Sequence, residues 1–239
     1  MLTYQPMKNS SRLSSEERRH AIVDAVRSVF AEKGFHGTTT RELAHAAGVS
    51  EALLYKHFPS KESLYGAMLD ACAKGPGLDE FKRIMALEPS TSTLVVLVQF
   101  IITYFVRGCA EDPSKAIAHR LMLRSLLEDA EFVRLAIRQY AGAWVGKFEE
   151  CLRAATEAGD VRYPTPRADL RGWFIHHIAV GLMLYLHPRI PAIDYRSERD
   201  FLVEQAVRFA LLGAGLKEEA IARHYDPKAL ALLAADSPA

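Results

Sequence analysis

Apolar residues recur along this chain at intervals of three and four, and no stretch joins alternating apolar residues to a hairpin turn. That is the period of a helix, so the pattern predicts an all-α protein. Ser14 and Glu17 are spaced as a capping box and open a helix with the stripe Ile22, Val26, Val29 and Phe30, stopped by Gly34. Thr39 and Glu42 repeat the box and open a second helix, with Leu43, Ala44 and Ala47 inward and Gly48 at its end. Ser50 caps a third helix, in which Leu54 and Phe58 lie one turn apart. Pro59 and Ser60 end it and cap a fourth, continued by Leu64 and Met68.

The strongest breaker is Lys74-Gly75-Pro76-Gly77, and the domain boundary is expected nearby. The expected organisation is a flexible arm over 1–14, a small helical domain over 15–66 and a larger helical domain over 67–239. Asp112-Pro113, Thr165-Pro166 and Asp226-Pro227 each place a capping residue before a proline at the first helical position. Further helices are predicted over about 91–109, 113–128, 131–157, 166–187, 198–212 and 227–234.

Composition adds limits. With 49% apolar and 25% charged residues the chain is of ordinary globular type. Cys72, Cys109 and Cys151 are odd in number and far apart, which points away from disulfides and zinc and fits a reducing cytoplasm. The run Ile178–Leu186 is too short for a bilayer, which takes about 20 residues, so no membrane partner is expected. Net charge is +1, and residues 1–66 carry a balance of only +2. A nucleic-acid partner must therefore be argued from placement, not from totals.

Placement favours it. Two short helices joined by a glycine turn and braced by a longer one form a helix-turn-helix, whose second helix enters the DNA major groove. The motifs Thr38-Thr39, Leu43-Ala44, Ala47-Gly48-Val49-Ser50, Leu54-Tyr55-Lys56-His57-Phe58 and Lys61 resemble the DNA-binding domain of the TetR family of transcriptional repressors. The resemblance covers about a quarter of the chain. Thr39 and Thr40, at a helix N-terminus, are placed to meet a phosphate. Arg41 matches a position that reaches a base edge in some relatives, and arginine suits guanine. Tyr55, His57 and Lys61 match phosphate-binding positions, and Lys56 serves phosphate or base. Ser50 opens the reading helix. Glu51, Ala52 and Leu53 depart from the family's usual polar or basic residue followed by a small one, with Glu51 suited to a cytosine amine and Leu53 to a thymine methyl or to packing.

The resemblance also implies a homodimer on a near-palindromic operator and a C-terminal domain that encloses an effector. Helices over about 166–187 and 198–212 are apolar on every side and are the expected dimer faces. Phe100, Tyr104, Met122, Tyr140, Trp144, Trp173, His176 and His177 are the expected lining of a mostly apolar effector site. No cofactor and no metal are expected: Glu42-Leu43-Ala44-His45 is a single Glu-x-x-His, and adjacent His176 and His177 point about 100° apart on a helix. No motif of an enzyme is present. The expected function is a cytoplasmic repressor released by a small apolar ligand, with a ligand-responsive activator or a helical adaptor without DNA as the alternatives.

Overall fold

The computed structural model describes residues 13–73, 78–111, 113–128, 130–162, 167–186, 188 and 190–229. The expected arm up to residue 12, the breaker at 74–77, Asp112, Thr165-Pro166 and the chain beyond Ala229 lie outside the described residues. Among the described residues every regular element is helical, and the fold is all-α.

Two compact units divide the chain at Cys72 and Ala73. The first holds α1 (Ser15–Lys33), α2 (Thr40–Ala46), α3 (Glu51–His57) and most of α4 (Lys61–Ala73), which runs across the boundary expected at 66–67. Sequence caps set these helices as expected. The Ser14 and Thr39 hydroxyls each accept from the third helical amide, while Glu17 and Glu42 reach back to the cap amides. Ser50 accepts from the Leu53 amide, and Ser60 from that of Ser63. Ile22, Val26, Phe30, Leu43, Leu54, Phe58, Leu64 and Met68 close over one core.

The second unit holds α5 (Leu78–Ala86), α6 (Thr91–Glu111), α7 (Pro113–Leu127), α8 (Glu131–Ala136), α9 (Gly142–Glu157), α10 (Ala168–Leu186), α11 (Arg199–Gly213) and α12 (Glu218–His224). Its centre is α6, which packs against α5, α7, α9, α10, α11 and α12. The segment Thr91–Gly108 is long and apolar enough to cross a membrane by composition, yet most of it is buried among the other helices. Asp160 ties the far end together, accepting from Thr91 Oγ1 at 2.8 Å and from Arg223 at 2.5 Å.

Three features differ from the sequence expectation. The helix expected over 131–157 is interrupted by a π turn at Ile137–Ala141, where the Gly142 amide donates to the Ile137 carbonyl. α5 and α12 were not expected. The first is nine residues long and follows the glycine-proline breaker; the second has seven residues and no side-chain cap. Neither is long enough for periodicity alone to declare it. Trp144, expected at the effector site, is instead core: it is 1% exposed, stacks on Phe148 at 5.5 Å and donates its indole N–H to the Leu97 carbonyl at 3.2 Å. A buried indole needs that partner, and this one finds it inside the fold.

Candidate nucleic-acid interface and effector site

The turn before α3 depends on Gly48, whose φ of +64° lies in the left-handed region. There the Val49 amide reaches the Ala44 carbonyl at 3.0 Å and the Gly48 amide that of His45 at 3.1 Å, closing α2 and turning the chain into α3. Leu54 and Phe58 then point into the core, which fixes the rotation of α3. Glu51, Ala52, Tyr55 and Lys56 fall at intervals of one, three and one, so they share the opposite, exposed face. Tyr55 is 45% exposed, so it is no core filler. Leu53 and His57 flank that face, half-buried. Arg41 is exposed in the first turn of α2.

Around this face the polar side chains are tied to one another. Glu42 accepts from the Thr39 amide and hydroxyl, each at 2.9 Å, and from Lys33 Nζ. The lysine bond first, then those from Thr39, bring its carboxyl down to about 2. Thr39 thus spends its hydroxyl and amide on the capping box, and the Glu-x-x-His spacing has a carboxylate already satisfied by threonine and lysine. The Thr40 hydroxyl donates to Glu51 at 3.3 Å, linking the N-termini of α2 and α3. Lys61 donates to the Thr38 carbonyl at 2.7 Å and lies 4.3 Å from the centre of the Phe35 ring. Arg19 sits 4.1 Å over Phe58 and donates to the His57 carbonyl at 2.5 Å. Lys33 and Arg19 are structural partners that the sequence reading missed, and Thr38, read there only as part of a motif, accepts from Lys61; these contacts join positions as much as 38 residues apart.

A profile of bacterial regulatory proteins of the tetR family matches residues 22–68, the stretch that builds these helices. Residues 22–68 form a TetR-type DNA-binding domain. The chain is 42% identical over 62 residues to the HTH-type transcriptional activator FasR of Mycolicibacterium smegmatis, a match spanning 26% of this chain and 28% of FasR. The HTH-type transcriptional repressor KstR2 of Rhodococcus jostii is 25% identical over 162 residues, covering 67% of this chain and 76% of KstR2. The fold resembles AibR, solved in complex with isovaleryl coenzyme A and operator DNA, with a TM-score of 0.61 at 19% identity over 81% of this chain and 97% of AibR.

In the second unit, ring contacts join five elements. Phe81 of α5 meets Phe100 of α6 at 6.0 Å and Tyr140 of the π turn at 5.8 Å. Tyr104 lies 6.0 Å from Phe100, 5.3 Å from Phe105 and 5.9 Å from His119 of α7. His176 of α10 meets Phe105 at 5.6 Å and Trp173 at 5.8 Å, and His177 stacks on Trp173 at 6.3 Å. Of the expected effector residues, Phe100, Tyr104, Tyr140, Trp173, His176 and His177 therefore belong to linked ring contacts. Met122 packs, half-buried, against the core. Phe81, Phe105 and His119 are additional members; the first was hidden by the unexpected α5, while the other two lie in segments whose apolar period reads equally as core. Burial, with a smaller contribution from His177, pulls the His176 imidazole down to about 4, so it is neutral at pH 7. Among the described residues no group of three or more metal-ligating side chains occurs.

Proposed function

We propose that this protein is a dimeric TetR-type repressor, acting in the cytoplasm, that occupies a near-palindromic operator and leaves it when a small, largely apolar effector binds the second unit. The observation that carries the reading is the outward face of α3, with Glu51, Ala52, Tyr55 and Lys56 exposed while Leu54 and Phe58 anchor the helix. A two-turn helix so held is a rigid reading head. Arg41 reads a base edge, Tyr55, Lys56 and His57 meet phosphate or base, and Lys61, whose amine already braces the loop before α2, meets phosphate beside it. Thr39 and Thr40 present the N-terminus of α2 to the backbone, and Ser50, Glu51, Ala52 and Leu53 form the leading turn of the reader.

Pairing is supported by exposed apolar residues on α10 and α11. Leu170, Phe174, Leu184 and Tyr185 emerge from α10 at helical spacing, and Phe201, Phe209 and Leu212 from α11. In a dimer, half-sites lie about 34 to 36 Å apart or a multiple. The effector must prefer a state in which the two reading helices no longer match that spacing, because equal affinity for both states shifts nothing.

The test is fluorescence anisotropy on a duplex selected from a random library. Lys56→Ala is expected to reduce the salt slope by about 1, and Tyr55→Ala to weaken all sequences alike. Arg41→Ala relaxes preference at one base position by about 1–3 kcal/mol. Binding that ignores both salt and these substitutions overturns the reading in favour of a protein-binding adaptor. A promoter assay decides the direction of control, and transcription that rises with occupancy replaces repressor by activator.

A further inference from the structure

Among the described residues of these ring contacts, His176 carries a buried ring nitrogen whose hydrogen bonding the fold leaves incomplete. Its Nδ1 is buried and has no hydrogen-bond partner, while the ring meets Phe105 and Trp173 edge-on at interplanar angles of 88° and 79°. Buried polar atoms are nearly always satisfied, so an exception of this kind needs a cause. The arginines of α6 and α10 have partners of their own: Arg107 pairs with Asp200 at 2.5 Å, and Arg171 donates to the Ala214 carbonyl at 2.6 Å. The rings of Phe105, Trp173 and His177 pack around the imidazole.

We infer that the effector is an uncharged, flat, largely apolar molecule bearing a hydroxyl, which contacts Trp173 and Phe105 with its rings and hydrogen-bonds His176 Nδ1. This rests on the effector-responsive reading above. A hydroxyl both donates and accepts, so it completes either neutral tautomer of the imidazole. A carboxylate would lose its water against these rings and find a neutral imidazole as its partner. Aromatic rings and the imidazole edge favour offset or edge-on contact with a flat partner.

The test is calorimetric titration of the full-length protein with 2-naphthol, naphthalene and 2-naphthoate, which share one ring system. The wild type is expected to bind 2-naphthol about fivefold more tightly than naphthalene, the value of one net neutral hydrogen bond, and 2-naphthoate most weakly. His176→Phe keeps the aromatic surroundings and should bind naphthalene at least as well while losing the preference for 2-naphthol. His176→Gln, which restores a donor and an acceptor, should recover part of it. Circular dichroism and melting temperature establish that each variant is folded. Equal affinity for the two neutral probes, a preference that survives His176→Phe, tightest binding of 2-naphthoate, or no binding of any probe each overturns the inference. None of these touches the DNA reading, which is measured without effector; loss of operator binding would sink that reading and leave the probe ratio standing.

Discussion

Glu42 and His176 are both moved off their ordinary titration ranges, and the two causes set different pH windows. Glu42 is held at about 2 by bonds from Lys33 and Thr39, so its contribution is full above its ordinary value near 4.5 and disappears as pH falls toward 2. His176 is held at about 4 by burial, against an ordinary 6.5. The unfolded chain therefore takes up this proton first, and stability falls between pH 6.5 and pH 4 by about 3 kcal/mol, with no further loss from this group below. Urea titrations at pH 7, 5.5 and 4.5, followed by tryptophan fluorescence, should show that slope in the wild type and its absence in His176→Phe. An unchanged slope would mean the imidazole is not buried neutral. Residue identity alone marked His176 as a candidate and could not disclose its burial. Nor could it disclose that Lys61, expected from the motif to meet phosphate, donates to the Thr38 carbonyl, because that bond spans 23 residues of chain.

At the scale of elements, what could be read in advance was what caps and breakers encode locally. The boxes at Ser14 and Thr39 and the glycines at 34 and 48 fixed α1 and α2 to within a residue or so, because each acts within four positions. α5, α12 and the π turn lacked such signals: their existence is decided by packing onto α6 and by a register change inside a continuous helix. The two glycines flanking α2 predict a contrast. A Cβ at Gly48 would meet nothing within 4 Å, so Gly48→Ala pays only for its left-handed backbone, about 1 kcal/mol. A Cβ on Gly37 would stand 2.2 Å from the Lys33 carbonyl oxygen, and the loop that delivers Thr38 to Lys61 must deform. Gly37→Ala should therefore be the more damaging, at about 2 kcal/mol or more. Hydrogen exchange of peptides covering residues 38–58 ranks the two directly, and the reverse order would show that the turn at Gly48 carries the strain.

For the molecule as a whole, charge is a poor guide and apolar placement a more informative one. A net charge of +1 says nothing of a DNA partner, whereas the two helices expected to be apolar all round do keep apolar residues exposed in the single protomer. The structure divides their faces: Ile175, Ala179, Met183, Val203 and Val207 go inward, while Phe174, Phe201 and Phe209 remain 53%, 56% and 67% exposed. Phe209→Glu separates the alternatives. In a lone protomer this position faces water, so the substitution should change stability by no more than about 0.5 kcal/mol. Across the proposed dimer it buries a carboxylate without a partner, and sedimentation should show the dimer giving way to protomers at micromolar concentration. Operator affinity should then fall by about 10² or more, because two half-sites would no longer be held by one tethered pair of reading helices. Each protomer would still carry an intact α3, so a residual salt-dependent affinity for DNA should persist. A Phe209→Glu protein that sediments as a dimer and binds its operator undiminished would place the pairing surface elsewhere on the second unit.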